Sequence, residues 1–508
     1  MLISANCAKM YQGGEDMYFV KELKEKIDWD FILKLTIVFS VIFLVSISAI
    51  LRANFNYIDD LGRTLNGYRG WENFSRYIST YLSVAVHAGR RLTDISPLPQ
   101  FIAIVWMALA SAVVVEVFCD YKKISIWTIV PVIPMTLSPY FLECLSYKFD
   151  APYMALSVLG SVFPFLFYRF GCKLYISVSI VGLLIMCMTY QASSGIYPMV
   201  TIFLCAKYWN EGKSVKEIRD FLVPSIFSYL AGLLLFKVIF MKTVNAYVSN
   251  DITKTNSIFQ TVFENLLRYF SLIKNDATNL WIILAALVAI AFIVSFVASS
   301  TRSKIMAMIL AVVVVAFGVG ISYGAYLILP KPLFAPRGMY GFGVFIALLG
   351  INSVGLWYKN ILAKLGSLFL AWSLIVFSFT YGNALAEQKR YTDFRTHMAL
   401  NDINKVNYVT KNGKYNMMLY GNVGKSPVVK NMEQKYRVLS RLVPSTLGSN
   451  WWWNEYYIYN YFALPYVKQV FDKKKKFRSF EDADVPVVVD TCYHTIKRND
   501  KYILVKFK

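Results

Sequence analysis

The sequence predicts an all-α polytopic membrane protein with about eleven transmembrane helices, followed by a small C-terminal α/β domain. Three observations lead there. Apolar runs of about 20 residues, enough to cross a bilayer, recur from residue 31 to residue 381. Charged residues make up only 17% of the 508 positions, against about 25% in soluble domains. After Gly382 the charge rises and the apolar runs shorten. The runs are continuous rather than alternating, which favours helices over the strands of a closed barrel.

The expected spans lie near 31–51, 101–119, 124–142, 151–169, 174–191, 194–209, 221–241, 280–300, 305–329, 339–357 and 361–381. The third carries Pro131, Pro134 and Pro139, so it is expected to be kinked or broken. Residues 74–88 are too short and polar to cross and read as an amphipathic helix lying on the membrane surface. The segment Met1 to Asp30 is polar and charged, and the apolar run behind it reads as an anchor rather than a cleaved leader. Beyond residue 381, a helix is expected over 386–411 and strands over Tyr415–Tyr420, Val485–Asp490 and Lys501–Phe507. The last two strands are expected to pair as a hairpin. The chain thereby divides into a transmembrane domain, 1–381, whose first outward loop is 52–100, and a C-terminal domain, 382–508.

The net charge is +22 and the pI about 9.5. The basic residues fall in short loops and in the C-terminal part, so anionic lipid and phosphate groups are the expected partners rather than nucleic acid. Lys122, Lys123, Arg169, Lys173, Lys207, Lys213, Lys216, Arg219, Arg302, Lys304, Lys359 and Lys364 fall on one side, with Lys21, Lys24 and Lys26 of the N-terminal segment. The positive-inside rule places that side in the cytoplasm. The opposite side then carries 52–100, 143–150, 191–195, 242–279, 330–338 and everything after 381. The first outward loop nonetheless holds Arg52, Arg63, Arg69, Arg76, Arg90 and Arg91. Exporting arginine is unfavourable, so these side chains are expected to bind something anionic.

The stretch from Asn56 to Trp71 is the densest in candidate chemistry. It opens on Tyr57-Ile58-Asp59-Asp60 and contains Arg63, Arg69 and Trp71. One of the paired carboxylates can serve as a general base while its neighbour orients it or raises its pKa. Oxygen ligands also suit a divalent metal, and an acidic helix cap is the bland alternative. Glu143 and Asp150 bracket a second outward loop that either walls the same site or is interfacial polarity. Arg337 stands at the mouth of a span, where it either holds a phosphate or snorkels to headgroups. His87, Arg90 and Arg91 can serve the same phosphate. Trp451–Trp453 and the tyrosines after them suit stacking on sugars or, preferably, anchoring at the bilayer surface. The basic run Lys473–Lys476 reads as a headgroup-binding patch. No CxxC pair exists and His87, His397 and His494 are scattered, so no metal site and no cofactor are expected.

Taken together, three places resemble the GtrII-type glucosyltransferases of bacteria and their temperate phages. They are Tyr57 to Arg63 with Gly67 and Trp71, Asp94-Ile95-Ser96-Pro97-Leu98-Pro99-Gln100 before the second span, and Pro139 to Glu143 running on to Ser146-Tyr147 and Phe149-Asp150. The resemblance covers mainly the first third of the chain. It implies a GT-C-like architecture in the bacterial inner membrane, with the C-terminal domain in the periplasm. The donor it implies is undecaprenyl-phosphate-glucose and the acceptor the lipid-linked O-antigen repeat unit of lipopolysaccharide, with inversion at the anomeric carbon. A flippase and a polyprenyl-phosphate glucosyl synthase would be functional partners. Asp59 or Asp60 would then be the base, and arginines would stabilise the departing lipid phosphate.

Two rivals are a transporter or flippase for a lipid-linked sugar and an O-antigen polymerase or ligase. A transporter would place ionisable residues at the bilayer midplane and show repeated halves; few mid-span charges and no repeat are present. A polymerase or ligase would more naturally use a large outward loop late in the bundle. With an odd number of spans, a reporter fused after Lys508 is expected to read out on the periplasmic side; reporter activity in the cytoplasm would break this topology.

Overall fold

The computed structural model describes residues 26–119, 123–242, 257–406, 415–445, 447, 467–469, 477 and 479–508. Most of Met1 to Asp30, Lys122, Trp451–Trp453 with the tyrosines after them, and Lys473–Lys476 lie outside the described residues. The chain is mostly helical, with a small C-terminal sheet.

Among the described residues, eight helices are long and apolar enough to cross a membrane: Trp29–Ser46, Leu98–Phe118, Ala151–Phe170, Cys172–Thr189, Val215–Phe240, Asn279–Ser299, Lys304–Ile321 and Ile361–Lys405. A ninth place is taken by Ile126–Leu137 and Pro139–Ser146, bent by 62°. The proline-rich span is therefore broken as its sequence predicts. Proline has no N–H to continue the ladder, and the Ser138 hydroxyl accepts from the Phe141 N–H to cap the second piece. The remaining two expected spans are the shorter helices Ile196–Asn210 and Gly341–Leu356, of 15 and 16 residues. At about 1.5 Å per residue they fall short of a bilayer core of about 30 Å. Gly341–Leu356 is almost wholly buried among other helices.

Polar residues near the loop end point inward. The helix Tyr77–Val86, expected on the membrane surface, buries Ser79, Thr80 and Ser83 and exposes Tyr81 and Leu82. A further helix, Ile258–Asp276, occupies part of the predicted loop 242–279. It buries Asn265, Tyr269 and Asp276 and exposes Phe259, Phe263, Leu267 and Phe270. Asn265 donates to the carbonyls of Leu327 and Leu329 at 2.9 and 3.0 Å. The apolar spacing of three to four residues is a helical stripe, which a search for continuous apolar runs passes over.

The last span and the predicted helix over 386–411 form one helix, Ile361–Lys405, of 45 residues. Residue 382, the expected domain boundary, lies inside it. Gly382 allows this helix to press on the short helix Ser48–Ala53: a Cβ there would sit 2.4 Å from the backbone of Ala49 and Ile50. The far end of the same helix carries the sheet. Arg395 donates to the carbonyls of Tyr493 and Lys508 at 2.6 and 2.7 Å, and Ala399, Leu400 and Ile403 pack into the sheet's core.

The sheet comprises β1 (Tyr415–Gly421), β2 (Val467–Gln469), β3 (Val487–Asp490), β4 (His494–Arg498) and β5 (Tyr502–Phe507), in the order β2-β1-β5-β4-β3. β1 runs parallel to β2 and β5, and the rest pair antiparallel. The hairpin expected between residues 485–490 and 501–507 is not formed, because β4 lies between them. β4 is only five residues long and ends on Lys497 and Arg498, so its apolar signal is thin; His494, Thr495 and Ile496 are its buried residues. The turn at Arg498-Asn499-Asp500 does form, between β4 and β5. There Asn499 accepts from the N–H groups of Lys501 and Tyr502 at 2.9 and 2.8 Å.

Gly382→Val is expected to lower thermal stability by about 1–3 kcal/mol or more through overpacking. The measurement is the unfolding midpoint of the detergent-purified chain, and an unchanged midpoint would refute the close approach.

Candidate functional site

At the end of the bundle that carries residues 52–97, the acidic residues meet partners from distant segments. Asp60 begins the short helix Asp60–Asn66, which ends at Gly67 in the left-handed region at φ 64°. Its carboxylate is fully buried. Oδ2 accepts from the N–H groups of Tyr57 at 2.9 Å and Lys148 at 3.0 Å. Oδ1 is buried with no partner among the described residues. Burial pushes this carboxyl up to about 7, and the two N–H groups, with the charges of Arg63 and Lys148, oppose the rise. Asp60 therefore ties the first loop to the loop after Ser146.

A second tie lies beside it. Arg63 pairs with Asp150, and the indole N–H of Trp71 donates to the other oxygen of the same carboxylate. The Arg63 guanidinium lies 4.4 Å from the centre of the Trp71 ring, and Trp71 meets Tyr153 edge-on at 5.1 Å. Arg63, Trp71 and Asp150 are all buried. Lys148 reaches Asp94 at 2.8 Å.

Glu143 forms the third tie from the broken span. It is 1% exposed. One oxygen accepts from the Arg337 backbone N–H, and the other from the Arg337 guanidinium at 3.1 Å and the Tyr57 hydroxyl at 3.3 Å. Tyr57 thus joins the clusters, with its N–H on Asp60 and its O–H shared between Glu143 and the carbonyl of Leu442 at 2.7 Å. The same carbonyl accepts from Tyr381 at 3.3 Å, and the Tyr381 and Ser146 hydroxyls lie 2.8 Å apart. Tyr147 packs edge-on against Tyr57 at 4.8 Å, with the Arg337 guanidinium 5.9 Å from its ring.

Asp59 differs from its neighbour. It is half-buried, and its side chain makes no hydrogen bond or ion pair among the described residues. Its charge acts on the Tyr147 hydroxyl, as does that of Arg337 with opposite sign. The Asp59 carboxylate and the Arg337 guanidinium thus both lie near enough to act on this buried phenol.

The structure gathers Asp59, Asp60, Arg63, Trp71, Glu143, Asp150 and Arg337 at one end. His87 stacks flat on Phe149 at 5.6 Å, and burial lowers its pKa. Arg90 and Arg91 are exposed, and the Arg91 stem lies over Gly67. Arg69 is half-buried. Residues the sequence did not single out also take part: Tyr57 and Tyr381 as joints, and Arg441, which pairs with Asp276 and donates to the Phe334 carbonyl. One signal was available for Tyr57, its place beside the aspartate pair; nothing marks Tyr381 among 35 tyrosines. No group of three or more His, Cys, Asp or Glu among the described residues is placed to hold a metal ion.

The profile of the family described as Glucosyl transferase GtrII matches residues 48–348, a range that includes all the side chains just described except Tyr381 and those of the C-terminal segment. A similar protein is the uncharacterised 55.3 kDa protein in the gtrB 5′ region of Salmonella phage P22. It is 27% identical over 441 residues, covering 83% of this chain and 89% of its own length. No solved structure matches.

Because its pKa is raised from 3.8 to about 7, Asp60 favours folding most when protonated. Its contribution is full below about pH 4 and is lost as pH rises through 7. Asp60→Asn, which keeps an acceptor for the two N–H groups, is expected to flatten the fall in unfolding temperature between those limits. A variant with the same pH slope as the parent protein would contradict the burial of this carboxyl.

Proposed function

The chain belongs to the GtrII glucosyl transferase family, and from that premise we propose that it transfers glucose from undecaprenyl-phosphate-glucose to the O-antigen repeat unit of lipopolysaccharide. The reaction takes place at the periplasmic face of the bacterial inner membrane, and the product is an O-antigen of altered serotype. The carrying observation is the family match itself, which spans both acidic loops and Arg337. The apolar helices among the described residues suit an enzyme whose donor and acceptor are both held by lipid, in a GT-C-like arrangement with the C-terminal domain outside.

In this reaction Asp59 takes the proton from the acceptor hydroxyl. A base must reach its substrate before its pKa matters. Asp59 is accessible and uncommitted, whereas Asp60 is fully buried and holds two backbone N–H groups. The deprotonated oxygen attacks the anomeric carbon in line, the bond from that carbon to the phosphate oxygen breaks, and the configuration inverts. Negative charge grows on the departing lipid phosphate, and Arg337 is placed to offset it. Glu143, held on both oxygens, fixes where that guanidinium points. Arg63, Trp71 and Asp150 hold the loop that presents Asp59.

Asp59→Asn is expected to lower glucosylation about 10²–10⁴-fold, the usual worth of a positioned base, with expression unchanged. Asp60→Asn is expected to retain most of it. The measurement is chemical analysis of O-antigen from cells carrying each variant. Full transfer by Asp59→Asn together with loss in Asp60→Asn would move the base to Asp60.

A further inference from the structure

Arg76 and Tyr190 are both buried residues with hydrogen-bonding capacity left unused among the described residues. Arg76 is 9% exposed. Its Nε donates to the Gln191 side chain at 3.2 Å, and the Gln191 amide donates in turn to the Phe74 carbonyl at 3.2 Å. The guanidinium lies 4.4 Å from the Tyr190 ring and 5.2 Å from that of Phe74. Its orientation is thus fixed, yet its two terminal nitrogens bond to nothing and no carboxylate pairs with it among the described residues. Tyr190 is 1% exposed, and its hydroxyl has no hydrogen-bond partner among the described residues.

Both facts are unfavourable by themselves. A buried guanidinium lacking an anion and a buried hydroxyl lacking a partner each cost stability. They also lie beside the transfer site. The Tyr190 ring stacks on Tyr340 at 6.2 Å, three residues after Arg337, and Tyr340 meets Phe141 at 5.4 Å, two residues before Glu143. The charges of Arg337 and Arg76 both act on the Tyr190 hydroxyl, while burial keeps it protonated and able to donate. Of the two guanidiniums, Arg337 is balanced by Glu143 and Arg76 is not. This group of side chains thus carries one positive charge with no carboxylate partner among the described residues.

We propose that Arg76, Tyr190 and Arg337 together bind the phosphate of the lipid-linked donor, with Arg76 supplying the unmatched charge and Tyr190 an O–H donor. This rests on the donor chemistry proposed above. As the bond from the anomeric carbon to the phosphate oxygen breaks, that oxygen keeps the electron pair, and these donors meet the added charge. Glu143, Gln191 and Phe74 are positioning groups that hold the two arginines apart and aimed.

The test uses the full chain in nanodiscs, titrated with farnesyl phosphate and, as a neutral control, farnesol. Arg76→Gln is expected to weaken farnesyl phosphate binding about 10-fold or more, as for a lost hydrogen bond to a charged group, and Tyr190→Phe about 3- to 10-fold. Arg76→Lys, which keeps the charge but not the fork, should fall between Arg76→Gln and the parent protein. Farnesol binding should not change. Tyr190→Phe deletes only an unpartnered oxygen, so its folded yield should match the parent and a purely structural role would leave binding untouched. Equal farnesyl phosphate binding by all variants, no binding by the parent, or an equal loss of farnesol binding would overturn the site. O-antigen glucosylation by the parent protein separates the two claims. Transfer with Arg76-independent binding sinks the phosphate site alone. Arg76-dependent binding without transfer sinks the reaction and leaves an anion site standing.

Discussion

A carboxylate removed from water must find donors, and that constraint shapes the loop end of this protein. Asp60, Glu143 and Asp150 are each almost fully buried, and each takes at least one donor from a segment far away in sequence. Asp60 captures the backbone at Lys148, Asp150 captures Arg63 and Trp71, and Glu143 captures Arg337. Losing one partner of such a pair typically costs about 3–5 kcal/mol, since the other charge is left buried and unmatched. These loops are thus fixed by a few charge-assisted contacts at the level where continuous apolar packing ends. The helices below need no such device. Their backbone bonds are internal, and close approach at Gly382 or Gly343 supplies the fit.

This arrangement separates holding from reacting. A carboxylate with both oxygens engaged is a strut, and Glu143 and Asp150 are struts. Asp59, beside the buried Asp60, is free of such duties, so its charge stays available at the rim. The phenols extend the same logic. Tyr57 carries one tie on its N–H and another on its O–H, so a small displacement of the first loop would be felt by Asp60, Glu143 and Leu442 together.

The helical bundle was legible because the apolar signal of a span is local and continuous. The break near Pro139 was legible for the same reason, since proline acts on its own turn. Helices with polar residues inside and phenylalanines outside were not, and neither Ile258–Asp276 nor the inward face of Tyr77–Val86 could be read from run length. β4 was lost because five residues ending in Lys497 and Arg498 give too little pattern. At the site, the residue types were readable and the pairings were not. Asp59, Asp60, Glu143 and Arg337 stood out as charges near span ends. That Asp150 would be spent on Arg63, that Asp60 would be sealed, and that Arg76 would point inward all depend on which loops meet. Arg90 and Arg91 looked the same as Arg63 in the sequence, yet they lie on the surface.

The carbonyl of Leu442 has an unusual place in this network, because it receives two phenols from opposite ends of the bundle's sequence. It belongs to the main chain, so every amino acid at position 442 presents the same oxygen. Side-chain replacement there tests the leucine's apolar packing and leaves the acceptor intact. The dependence of the bundle on this C-terminal turn is thus hidden from any scan of residue 442 and is displaced onto Tyr57 and Tyr381. Only a change that shifts the backbone between Tyr436 and Val443, by an inserted or deleted residue, would withdraw the oxygen itself.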